Sequence, residues 1–212
     1  MSVTVGGLAR RRAVVRGIIA TGLVISLGRT AAAQSDQTAI AVNFIRQAGN
    51  ELATLVSAAA ASHAERPRLQ AFLDRVVDVD GVARFCLGRY WAAASGSEQR
   101  LYLGVFHRVL LRNVISWLGS HQQGPAHVTI ERPLADGQDI DVPTVVERDG
   151  DPPAHVAWLV TMSEGGPKII DTVVEGVSMR LTVRNDYTSF IAHNGGDIEV
   201  LIRGLERQAD SG

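Results

Sequence analysis

The sequence predicts an α+β domain made of N-terminal helices, a four-stranded, largely antiparallel sheet and two C-terminal helices. Three observations predict it. Apolar residues recur at helical spacing over 38–119, alternate over 127–174, and return to helical spacing from 178 onward. Helices, a run of strands and helices again, in one uninterrupted stretch, is an α+β pattern. The 212 residues suit one domain with a sizeable core, and no repeat, low-complexity tract or linker divides them.

Each element has its own justification. Over 38–61, Ala41, Phe44, Ile45, Ala48, Leu52, Leu55 and Val56 form one apolar stripe on a polar helix. Pro67 suits the first turn of a short second helix carrying Leu69, Phe72, Leu73, Val76 and Val77. A third, Val82 to Leu87, is expected to be capped by Asp80 and stopped by Gly88. Ser95-Gly-Ser-Glu98 is a capping box for the longest helix, 97–119. Alternation then marks strands at His127–Glu131, Ile140–Glu147, Ala154–Met162 and Lys168–Val174. The turn chemistry of Asp149-Gly150-Asp-Pro-Pro153 and Gly165-Gly166-Pro167 separates the last three. Helices over 178–193 and 197–208, split by Asn194-Gly195-Gly196, close the chain.

Residues 1–33 are expected to be a signal peptide, with 34–212 as the working domain. The segment holds five arginines and no acidic residue; an uncharged run, Gly17–Gly28, precedes the small-residue exit Ala31-Ala32-Ala33. A run of 12 residues is short of the roughly 20 that span a bilayer as a helix. Arg11-Arg12-Ala13-Val14-Val15-Arg16 resembles a twin-arginine signal without deciding between export routes. The only cysteine is Cys86, so no lipoprotein cysteine follows the exit and no intrachain disulfide forms. Removing the basic leader turns a chain of net charge −1 into an acidic domain of −6. The domain is expected to be soluble and exported.

Several chemistries lack their signatures. Of His63, His107, His121, His127, His155 and His193, no two stand at the helical i, i+4 spacing of a zinc site. Walker, dinucleotide and nucleophile-elbow motifs are missing. Cys86 sits in an apolar helical pattern with no evident base, which suits a core residue. The acidic balance, dispersed arginines and single lysine, Lys168, argue against a nucleic-acid partner. No catalytic residue, metal or cofactor is expected.

Two segments carry a resemblance. Ala83-Arg84-Phe85-Cys86-Leu87-Gly88-Arg89-Tyr90-Trp91 and Lys168-Ile169-Ile170-Asp171-Thr172-Val173-Val174-Glu175-Gly176-Val177-Ser178-Met179 look like the MlaC family, the toluene-tolerance auxiliary family of periplasmic lipid-transfer proteins. The D-x-x-x-E-G-x-S stretch from Asp171 to Ser178 is the more specific motif. F-C-L-G-R-Y-W and G-G-P-K-I look closest to the hopanoid-associated HpnM branch. Pro167, Val183 and Gly96 depart from common family residues at turns and packing positions. The resemblance implies a curved sheet covered by helices, a lipid cavity between them, and no covalent chemistry. It also implies phospholipid or hopanoid cargo, exchanged with an inner-membrane ABC transporter complex and an outer-membrane lipoprotein complex.

The residues suit that implication. Val156, Trp158, Val160 and Met162 form one broad apolar strand face, which Val142, Thr144 and Val146 extend. Val105, Phe106, Val109 and Leu110 are expected as the facing wall, and Tyr90, Val173 and Met179 in the two recognisable segments complete the candidate lining. Two chains of about 16 carbons represent roughly 25 kcal/mol of gross transfer energy, so a lipid needs a dry carrier to cross water. An acidic carrier is repelled by anionic bilayers and is expected to receive cargo from docking proteins. Two other readings remain: a small enzyme using a carboxylate such as Asp171, set among Ile170, Val173 and Val174, as general base, and an adaptor with a packed, ligand-free interior. The plainer role for Asp171 is to hydrogen-bond nearby backbone at the strand end.

Overall fold

A computed structural model describes residues 25–120 and 126–210. Helix α1 (Ile25–Ala61) leads through a single 3-10 turn (His63–Glu65) into α2 (Arg66–Val76), α3 (Val79–Leu87), the one-turn α4 (Tyr90–Ala93) and the long α5 (Gly96–Ser120). Strands β1 (Ala126–Ile130), β2 (Leu134–Asp136), β3 (Asp139–Arg148), β4 (Ala154–Ser163), β5 (Gly166–Val174) and β6 (Val177–Ser178) follow, then α6 (Met179–His193) and α7 (Ile198–Asp210). The predicted order of helices, antiparallel strands and helices is the order observed. The predicted signal peptide lies outside the described residues over 1–24, and α1 runs through its expected exit at Ala33. No described helix is long and apolar enough to cross a membrane.

The sheet has six strands rather than four, because two short strands escape a reading based on alternation. Strand order is β1-β3-β4-β5-β6, with β2 also pairing β3, and every neighbouring pair is antiparallel. β1 and β2 share one edge of β3, and Pro143 sits opposite the break between them. Proline has no N–H for a ladder, so a gap in pairing is where a strand tolerates it. Its carbonyl still accepts from the Glu131 N–H at 2.9 Å.

The capping box is present: Glu98 N–H donates to Ser95 Oγ at 3.3 Å and Ser95 N–H to Glu98 Oε2 at 2.7 Å. The cap of α3 is a correction. Asp78, not Asp80, occupies the position, accepting from the Gly81 N–H at 3.0 Å, and the helix starts at Val79. Asp80 is used elsewhere. It lies 2.9 Å from His107 Nε2 while Asp74 lies 3.0 Å from Nδ1, so one ring on α5 bridges α2 and α3. Lys168 of β5 donates to the carbonyls of Asp74 and Arg75, at 2.9 and 2.6 Å, where the last turn of α2 leaves acceptors free.

Three apolar clusters hold the layers. One joins α3, α5, α6 and α7 around Tyr102, whose hydroxyl donates to the Ala83 carbonyl at 2.9 Å. A second packs Ala48 and Ala59 of α1 against Leu69, Phe72 and Leu73 of α2, with Leu111 and Ile115 of α5 beside them. The third seats Ala41 and Ile45 of α1 on Ile140, Val142, Val160 and Ile169 of the sheet.

Candidate functional site

Register defines the candidate wall. Ile140 pairs with Val160, Val142 with Trp158 and Thr144 with Val156, so these six share one face of β3 and β4. β1 extends that face through Val128 opposite Val146 and Ile130 opposite Thr144. β5 extends it through Val174 opposite Val156 and, beyond a bulge at Leu159/Val160, Ile169 opposite Val160. Val142 and Val160 are fully buried beneath α1, with Trp158 and Met162 packed partly against them. Val156 is buried, Val146 half-buried, and Val128 is 54% exposed, so the wall runs from the interior to solvent.

A polar pair holds the largest ring of the wall. Thr144, itself 2% exposed, donates its hydroxyl to the Val156 carbonyl at 2.7 Å. The same oxygen accepts from Trp158 Nε1 at 3.1 Å. The indole therefore has one fixed orientation on the sheet, and a buried threonine is fully satisfied.

Six of the twelve candidate lining residues come together here: Val142, Val146, Val156, Trp158, Val160 and Met162. The others lie elsewhere. Val105, Phe106 and Val109 are buried in the helical cluster with Ile191, Leu201 and Leu205, not across from the wall. The expected facing wall is corrected accordingly: α1 takes that place on the sheet, and the stripe of α5 is left for α3, α6 and α7. Tyr90 packs on the same helical cluster, and its hydroxyl accepts from Arg89 at 3.0 Å. Val173 pairs with Ala157 and therefore points from the opposite face of the sheet. Met179 is 38% exposed at the start of α6. Sequence reasoning also passed over Ala41 and Ile45 as wall contacts; their stripe was visible, but its partner was not.

The two recognisable segments meet in space. The ring of Phe85 in α3 meets the guanidinium groups of both Arg180 and Arg184, 4.6 and 4.7 Å from its centre. Cys86 Sγ lies 3.6 Å from the Arg180 carbonyl. Burial, with the nearby Asp171 charge adding to it, pushes the Cys86 thiol up to about 12, so it carries no nucleophilic thiolate near neutrality. Gly88 ends α3 at φ +58°, and a Cβ there would stand 3.3 Å from Arg184 Nε.

Asp171 organises the other half of this joint. Its Oδ1 accepts from the backbone N–H of Thr172 at 2.8 Å and of Arg180 at 3.0 Å; its Oδ2 accepts from the Ser178 hydroxyl at 2.5 Å. Arg180 Nε lies 3.4 Å from Oδ2 as an ion pair. Ser178 in turn caps α6 by accepting from the Leu181 N–H at 3.1 Å. Glu175 and Gly176, at φ +48° and +80°, form the two-residue turn of the β5–β6 hairpin. Glu175 is held in that left-handed conformation by exchanging hydrogen bonds with the His155 backbone, 2.9 Å from its N–H and 2.6 Å to its carboxylate. Each lettered position of D-x-x-x-E-G-x-S thus has a structural duty: carboxylate staple, turn, turn, helix cap.

Two cavities of about 200 and 220 Å³ are also present. One lies among α2, α5 and α7, the other between α6 and α7 along Tyr187, Phe190 and Leu205. Neither touches the wall or Asp171. Among the described residues no group of three His, Cys, Asp or Glu side chains is placed to hold a metal ion.

A family model described as MlaC protein matches residues 46–207, from α1 almost to the end of α7. A solved structure of a phospholipid-binding protein from Ralstonia solanacearum, in complex with a phospholipid, is similar at a TM-score of 0.66 and 18% identity. The similarity covers 79% of this chain and 96% of that one. At that identity it speaks for the fold.

Proposed function

The chain belongs to the MlaC family, and on that premise we propose that it is a periplasmic lipid carrier whose acyl-chain site is the sheet wall of Val142, Val146, Val156, Trp158, Val160 and Met162. One observation carries the placement: a single apolar face that continues from fully buried Val142 and Val160 to exposed Val128. Such continuity gives a hydrocarbon chain a path from solvent to interior, past a Thr144 hydroxyl already hydrogen-bonded within the protein. The relative solved with a bound phospholipid supports this reading. Residues 1–33 serve as its signal peptide. The cargo is a phospholipid or hopanoid, handed between an inner-membrane ABC transporter complex and an outer-membrane lipoprotein complex.

In this structure α1 sits on the buried half of the wall, with Ala41 and Ile45 packed on Ile140, Val142, Val160 and Ile169. Loading a diacyl lipid therefore requires α1 and the sheet to part, with acyl chains replacing the contacts of Ala41 and Ile45. The covered wall is also what a ligand-free adaptor would show, and this keeps the second reading in view. Asp171 does not support the enzymatic one, since both carboxylate oxygens are committed to protein donors.

Native mass spectrometry of the protein, purified after exposure to bacterial membranes and followed by lipid identification, decides the matter. The carrier predicts one stoichiometric lipid, with phospholipid and hopanoid told apart by mass. A protein that stays lipid-free after exposure is the adaptor.

A further inference from the structure

A second site lies away from the wall. The cavity of about 200 Å³ among α2, α5 and α7 is lined by Arg66, Arg108, Arg112, Leu111, Ile115 and Ala209, with three guanidinium groups and no carboxylate in its lining. Such a cluster does not follow from general basicity, because the 34–212 domain carries a net −6. Arg66 Nε is buried and has no hydrogen-bond partner among the described residues. A buried charged donor without an acceptor is costly, and an anion entering the cavity removes that cost. Arg108 is tethered from the side by Asp210 of α7 at 3.3 Å, on an exposed ion pair that is weak enough to yield to a better anion. The floor is apolar, since Leu111 and Ile115 also pack against the α1–α2 core.

We propose that this cavity binds a phosphate-bearing anion, with the guanidinium forks on its oxygens and the apolar floor beneath any hydrocarbon attached to it. Guanidinium geometry matches phosphate oxygens in bidentate pairs. The volume suits a phosphate group with a short apolar extension and excludes a whole acyl chain. A lipid headgroup and free phosphate present the same chemistry to the arginines. The site is independent of the sheet wall and does not rest on the carrier reading.

The test follows the side-chain N–H signal of Arg66 by NMR while inorganic phosphate or hexyl phosphate is titrated into the wild-type protein. Both probes are expected to shift that signal. The Arg66→Gln/Arg108→Gln double variant is expected to bind about tenfold more weakly or worse. Clearly tighter binding of hexyl phosphate identifies a lipid headgroup as the source, and equal binding identifies free phosphate. An Arg66 signal that stays still at millimolar concentrations of both probes overturns the proposal without recourse to any variant. Undiminished binding by the double variant overturns it equally.

Discussion

The joint between α3 and α6 and the apolar wall of the sheet are built on opposite principles. In the joint, directional contacts set the geometry: Asp171 takes three hydrogen bonds, Phe85 takes two cations, and Ser178 both donates to the staple and caps a helix. Such an arrangement admits one geometry and few residue types. The wall holds only one polar pair, Thr144 with Trp158, and is otherwise shaped by non-directional burial. A surface of that kind tolerates different apolar partners, whether helix α1 or an acyl chain. The most recognisable residues brace the fold, and the least distinctive ones form the wall proposed for the cargo.

Substitutions separate the two regions. The largest effect is expected from Asp171→Ala, which orphans two backbone N–H groups, a hydroxyl and the Arg180 charge. Urea unfolding should show a loss of about 3 to 5 kcal/mol, while any folded fraction keeps its lipid. Val146→Glu should do the reverse. At a half-buried position it leaves the midpoint of unfolding nearly unchanged, yet puts a carboxylate against an acyl chain at a cost of about 1 to 3 kcal/mol, so lipid retention after purification falls at least several-fold. Equal effects of both variants on stability and lipid retention would erase the distinction. Gly88→Ala, at φ +58° beside Arg184, should cost about 1 to 2 kcal/mol by thermal unfolding and leave retention intact. The smallest effect concerns Cys86. With its thiol raised to about 12, alkylation at pH 8 should be undetectable in the native protein and rapid in urea.

How much of this was legible in the sequence follows from the same contrast. Period and capping chemistry are local, so α5 with its Ser95–Glu98 box and the long strands were readable from the chain alone. β2 and β6, at three and two residues, are too short for alternation to register. The strand face of Val156, Trp158, Val160 and Met162 was readable because β4 alternates without interruption. What covers it was not, since the stripes of α1 and α5 are both apolar and periodicity does not say which one reaches the sheet. Val173 shows the same limit in miniature: parity within β5 is visible, but which parity joins the wall depends on pairing with β4 and on the bulge at Leu159/Val160. Asp80 lost the cap of α3 to Asp78 two residues earlier, a choice set by where the chain leaves its bond to Ile169.

The central claim is that lipid lies on the wall beside Trp158, and the indole itself can report it. A variant retaining Trp158 alone, with Trp91 and Trp117 replaced by phenylalanine, would be loaded with a phospholipid brominated along its acyl chain and its fluorescence recorded. The account predicts strong quenching relative to the same protein carrying the unbrominated lipid. Stoichiometric lipid by mass spectrometry with Trp158 emission unchanged would place the cargo elsewhere and contradict it.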